Sequence, residues 1–197
     1  DSYKQSVGPQ GFSFISLHNY LASRYLLKGY PANAEKIAIQ CLQQYPNDPY
    51  ANYNLGKAYM NMGRINEAIN FLSRAVQLNS RDFQWYSDLG NCYFQISNYE
   101  MAEKAFLEAL NRNPNSAATY LNLGSCVTYL GRKKEGVNYF KKAIELDPKL
   151  VAAYNNLIAF YCTIEKNREY AVYYYGQLKQ RGLTVSDEIE SLINRSF

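Results

Sequence analysis

Four side chains able to grip a peptide backbone recur at one spacing: Asn54, Asp88, Asn122 and Asn156 stand 34 residues apart. An asparagine amide carries two donors and an acceptor, so it can pair with both polar groups of a peptide unit in an extended ligand. Asp88 interrupts the series, and Tyr20 stands at the matching place one step earlier. Tyr50, Tyr53, Lys57, Asn91, Phe94 and Tyr129 lie within a helical turn or two of these positions. The chemistry expected of the set is recognition. Asn54, Asn122 and Asn156 hold backbone; Lys57, Asp88 and Asn91 select polar side chains; Tyr50, Tyr53, Phe94 and Tyr129 give apolar contact.

Bond-making chemistry finds little support. The single histidine, His18, falls at a core-facing position, and one histidine does not assemble a Ser/His/Asp or Cys/His set. Cys41, Cys92, Cys126 and Cys162 form no CxxC pair, and no HExxH or phosphate-cradling glycine loop occurs. Cys92 and Cys126 share one repeat position, which reads as a small buried hydrophobe. Carboxylate neighbours such as Glu100 and Glu103 read as solvated charges. The cluster Arg132, Lys133, Lys134, Lys141 and Lys142 reads as a wet convex face, with an acidic partner or a membrane surface as the alternative it could meet. No enzyme activity, cofactor or metal is expected.

Composition agrees. With 21 basic and 17 acidic residues the net charge is +4, too weak and too dispersed to argue for nucleic acid. Hydrophobic residues make up 47% of the chain, enough for a packed core. Its 20 tyrosines sit mostly where a ring can bury while the hydroxyl reaches water or a carbonyl. No run of 18 or more apolar residues occurs, so no membrane span is expected.

The elements that must carry these side chains follow from periodicity. In Ala117 to Leu150, Tyr120, Leu123, Gly124 and Val127 fall at i, i+3, i+4 and i+7, one helix face; Gly136, Phe140, Ala143 and Ile144 mark a second. Leu130-Gly131-Arg132 breaks the two helices, and Asp147-Pro148 closes them. Shifted by 34, the pattern returns as Leu55, Leu89, Leu123 and Leu157, and as Gly56, Gly90 and Gly124. A period of this length predicts an all-α solenoid of helix–turn–helix units. Residues 1–14 are expected to form a lead-in loop, residues 15–184 five units (15–48, 49–82, 83–116, 117–150, 151–184), and residues 185–197 a capping helix begun at Ser186.

The pattern resembles the tetratricopeptide repeat: Tyr120, Leu123, Gly124, Gly136, Phe140, Ala143 and Pro148 follow its order, as do Tyr86, Leu89, Gly90, Tyr93, Ala102, Phe106, Ala109 and Pro114. The resemblance implies a right-handed superhelix with the first helix of each unit lining a concave groove. The asparagine series is similar to the ladder in the repeat domain of O-linked GlcNAc transferases, which implies a grip on an extended peptide. The carboxylate clamp of chaperone-binding members needs cations where Ser87, Ala152 and Asn156 stand, so an acidic chaperone tail is not expected.

The function expected is a non-catalytic protein–protein interaction module holding a peptide or partner segment in that groove. Two alternatives stay open: a regulatory or substrate-docking fragment of a larger enzyme such as a glycosyltransferase, and a self-associating assembly scaffold. A chain beginning at Asp1 reads as processed or as a fragment, with cytoplasmic and extracytoplasmic placement equally open.

Overall fold

The computed structural model describes residues 13–79 and 81–196. Eleven helices and no strand occur among them. In order they are α1 (Phe14–Leu27), α2 (Pro31–Gln44), α3 (Pro49–Asn61), α4 (Ile65–Leu78), α5 (Phe83–Gln95), α6 (Tyr99–Arg112), α7 (Ala117–Tyr129), α8 (Lys133–Leu146), α9 (Val151–Thr163), α10 (Arg168–Gln180) and α11 (Asp187–Ser196). Residues 1–12 of the expected lead-in loop, Ser80 at a proline position and Phe197 lie outside the described residues. Ser13 already caps α1, accepting the Ser16 N–H, so the first helix begins inside the stretch expected to be loop.

Local chemistry fixes where the helices start. Asp48, Asp82, Ser116 and Asn167 each accept a backbone N–H from the first turn of α3, α5, α7 and α10, satisfying a donor the helix cannot pair internally. Pro31 opens α2, where its missing N–H costs nothing. Between the helices of a pair, the chain reverses through one residue of positive φ: Gly29 at 77°, Gly63 at 76°, Ser97 at 60°, Gly131 at 86° and Lys166 at 52°. The residue after each of the first four donates back five residues, as Arg132 N does to Val127 O at 2.9 Å. The step from Gly131 to Lys166 is one longer than the others, which marks the extra residue of the last pair.

The chain divides into two compact units, one ending at Arg112 and one beginning at Asn113. In the first, α3 packs on α4 and α5 on α6, and the core gathers Leu55, Tyr59, Leu72, Trp85, Leu89 and Cys92. In the second, α7 packs on α8 and α9 on α10; its core gathers Phe140, Tyr154, Leu157, Ile158, Tyr161 and Leu178, with Ile189 of α11 packed in. Close helix approach depends on a missing side chain. A Cβ on Gly124 would stand 2.6 Å from the Phe140 ring, so the ring occupies the space the glycine leaves. All four cysteines are buried thiols.

Candidate functional site

Within the first unit, the expected groove residues of α3 and α5 form an internal polar knot. Asp88 is 2% exposed, and Asn54 is 5% exposed. The Asp88 carboxylate accepts from Tyr53 Oη at 2.8 Å, from Lys57 Nζ at 2.8 Å and from Gln84 Nε2 at 3.3 Å. Asn54 Nδ2 donates to the Asn19 carbonyl of α1 at 3.3 Å. Tyr53 stacks on Trp85 at 4.9 Å between centroids, and Tyr50 meets the same indole edge-on at 5.3 Å.

Asn54, Asp88, Lys57 and Tyr53, expected from the sequence to meet a ligand, are engaged within the unit in the structure. Their helix face is engaged by the neighbouring first helix: α1 accepts from Asn54, and Tyr53 and Lys57 of α3 reach across to the Asp88 carboxylate of α5. Asp88 therefore staples α3 to α5 instead of presenting charge to a ligand, and Lys57, its side chain 25% exposed, is its counter-ion. Tyr50 is more than half exposed and keeps an accessible edge. Asn91 and Phe94 are half-buried on α5, with Phe94 edge-on to Tyr99 at 5.3 Å. The tryptophan that organises this knot has no place in the set of recognition residues read from the sequence, although its being the only one in the chain marked it out.

The second unit holds an open hollow of about 320 Å³. Asn156 and Tyr129, both expected from the sequence, line it, and Asn122 is half-buried on α7. Phe140 and Phe160 form its floor and wall, with Ala159 and Ile164 beside them. Ser125, Thr128 and Thr163 complete the lining, and Lys133 stands at the first position of α8. Each hydroxyl donates to the carbonyl four residues earlier: Ser125 to Leu121 at 3.1 Å, Thr128 to Gly124 at 2.7 Å and Thr163 to Ala159 at 2.7 Å. Their hydrogens are thus engaged within the helices, and what the hydroxyls offer outward is lone pairs. Tyr129 is 65% exposed. Lys133 belongs to the run that reads in sequence as a wet convex face; its place here is a correction. The signal for it lies in the next helix pair of the same unit, since Phe160 and Ile164 become walls only once α9 packs on α8.

No group of three or more His, Cys, Asp or Glu side chains able to hold a metal occurs among the described residues. His18 stacks on Phe14 at 3.7 Å, and its Nδ1 lies 2.8 Å from the Phe14 carbonyl oxygen, a packed position on α1. Among the described residues no helix is long and apolar enough to cross a membrane.

Burial sets an alkaline pH response. It pushes Cys92 up to about 12 and Cys41 to about 11 from the ordinary 9.0, and Tyr174 to about 12 from 10.0. Tyr53 rises well above the tyrosine range, through burial first and then the Asp88 charge beside it. Each group is neutral when folded, and the unfolded chain ionises first. Their contribution is complete below about pH 9 and is lost as pH rises toward 12. Circular dichroism in urea should show stability falling across that window, and Tyr53→Phe should flatten part of the fall. A stability profile flat to pH 12 would contradict it.

Repeated helix pairs of this length, with small residues at the helix crossings, define a tetratricopeptide array. Two tetratricopeptide repeat models match the sequence, over residues 25–87 and 82–149. The chain belongs to the tetratricopeptide repeat family. Among solved structures, a crystal structure of MamA is 26% identical with a TM-score of 0.76, covering 82% of this chain and 94% of that one. MamA from Desulfovibrio magneticus RS-1 is 20% identical with a TM-score of 0.77, covering 89% and 96%. Pseudomonas aeruginosa pilF is 19% identical with a TM-score of 0.79, covering 91% and 81%. No curated protein sequence matches the chain. The array is a protein–protein interaction fold.

Proposed function

We propose that the chain is a non-catalytic interaction module that seats a segment of a partner protein in the hollow of the second unit. The observation that carries this reading is the convergence of an asparagine amide, exposed tyrosine and apolar wall on one open hollow. Asn156 pairs with the segment's backbone, and Tyr129 and Phe160 cover its apolar side. The asparagine series thus divides by role, with Asn54 and Asp88 holding helices together while Asn156 meets the ligand.

The test is capture of partners from the native host's lysate by wild type and by the Tyr129→Ala/Asn156→Ala double variant. A partner held by wild type and reduced at least tenfold by the variant supports the reading, and equal capture contradicts it. Both side chains leave the fold's core untouched, so helical content should be unchanged.

One observation favours a second reading. Helix α10 leaves Tyr170, Val172 and Tyr173 exposed. Tyr170 and Tyr173, three residues apart, share one helix face, and exposed rings there suit self-association, as an assembly scaffold requires. Light scattering that rises in mass with concentration, and that Tyr173→Glu abolishes, would support the scaffold.

A further inference from the structure

We propose that the hollow of the second unit selects an acidic segment, one with an apolar side chain anchored between Phe140 and Phe160 and a carboxylate beside it paired with Lys133. The inference rests on the reading of that hollow as a binding surface and adds the chemistry of its occupant.

Charge complementarity carries it. No carboxylate lines the hollow, and one ammonium does. Of the other four cations of the same basic run, three are engaged: Arg132 pairs with Glu135 at 3.1 Å, Lys134 with Glu165 at 3.6 Å and Lys142 with Glu145 at 2.8 Å; Lys141 is exposed on α8 and does not line the hollow. No described carboxylate pairs with Lys133 in this way. The surrounding second unit carries eleven basic and eight acidic residues, so the wider field has the same sign.

The apolar anchor follows from size and lining. About 320 Å³ lies at the lower end of the range for ligand pockets, so the hollow suits one large side chain and its flanking backbone. Serine and threonine hydroxyls whose hydrogens are engaged internally give acceptors and methyl groups, which suit backbone N–H donors and apolar contact better than a second carboxylate. The acid must therefore sit at the Lys133 rim and not on the floor. An ion pair there steers encounter and fixes register more than it adds affinity.

The experiment is selection of a random peptide library against the full chain and against Lys133→Glu. The variant residue is exposed and opens a helix, where a carboxylate is tolerated by the helix dipole, so the fold should persist. Wild type should enrich peptides with an aromatic or large aliphatic residue flanked by Asp or Glu. Their affinity should fall about two- to fivefold when the acid becomes its amide, as for an exposed ion pair, and their association rate should fall with added salt. Lys133→Glu should enrich Lys or Arg at that flank. Enriched peptides without acids, or the same peptides from both proteins, would overturn the acidic preference while leaving the hollow as a binding surface. Peptides that bind Asn156→Ala and Phe160→Ala as tightly as wild type would place binding elsewhere and overturn both.

Discussion

Replacing Asp88 with alanine is expected to destabilise the chain by about 2–4 kcal/mol, the largest effect of any single polar truncation in the first unit. Removing one partner of a buried ion pair leaves the other charge uncompensated, which costs about 3–5 kcal/mol when both are fully buried. Lys57 is partly exposed and can turn toward water, which moves the figure down. Tyr53 adds to it, because its hydroxyl loses the acceptor at 2.8 Å beneath the Trp85 stack. Asp88→Asn would complete the asparagine series yet should still lose stability, since the amide cannot neutralise Lys57. The paired change Asp88→Leu with Lys57→Met should recover the part of the loss that comes from the unpaired Lys57, because an apolar pair of similar volume needs no partner, while Tyr53 still lacks its acceptor. Urea unfolding followed by circular dichroism measures all four proteins. An Asp88→Ala chain within 0.5 kcal/mol of wild type would mean that the carboxylate is not a staple.

Gly136→Ala is the second large effect, and two principles pull it in opposite directions. Alanine in a helix interior is favoured over glycine by about 1 kcal/mol. Here, however, a Cβ would stand 2.2 Å from Thr128 Oγ1 and 2.8 Å from the Gly124 carbonyl oxygen. The hydroxyl is held in place by its 2.7 Å bond to that same carbonyl, and the backbone oxygen can yield only if α7 and α8 separate. Overpacking of this kind costs about 1–3 kcal/mol, so the substitution should destabilise by up to about 2 kcal/mol after the propensity gain. Thr128→Ala alone should be mild. The double variant Gly136→Ala/Thr128→Ala should regain at least half of the loss, because the shortest contact is gone and only the carbonyl remains. A Gly136→Ala chain more stable than wild type would show that propensity decides and that the helices can part.

This pair also shows why some of the molecule was legible in its sequence and some was not. Other units carry alanine where Gly136 stands, as at Ala68 and Ala102, both fully buried. A repeat pattern reports that the position must be small. It does not report that Thr128, one turn before the break, takes the methyl's place. In the same way the 34-residue recurrence of Leu55, Leu89, Leu123 and Leu157 is a core recurrence, and all four are buried. Each is set by its own helix pair, which periodicity reads well.

The binding surface is set between pairs, where periodicity is silent. Asn54 and Asp88 share a helix position with Asn156, yet the first two are buried and the third lines an open hollow. For Asp88 the difference comes from the preceding helix pair: Tyr53 is long enough to cover Asp88, whereas the residue at its place before Asn156 is Leu121, with no hydroxyl to offer. Lys133 was hidden for a related reason. A basic run reads as solvent-facing charge, and only the packing of α9 on α8 gives one of its members a wall of Phe160 and Ile164 to stand beside.

The central claim, that partners dock in the hollow of the second unit, is tested most directly by site-specific photocrosslinking in the host. A photoreactive residue placed at Thr163 lines the hollow, one at Tyr173 reports on the exposed face of α10, and one at Asn70 reports on exposed α4. The account predicts partner adducts from Thr163 that Asn156→Ala diminishes, and none from Asn70. Adducts from Tyr173 or Asn70 with none from Thr163 would contradict it, and adducts between two copies of the chain through Tyr173 would favour the scaffold instead.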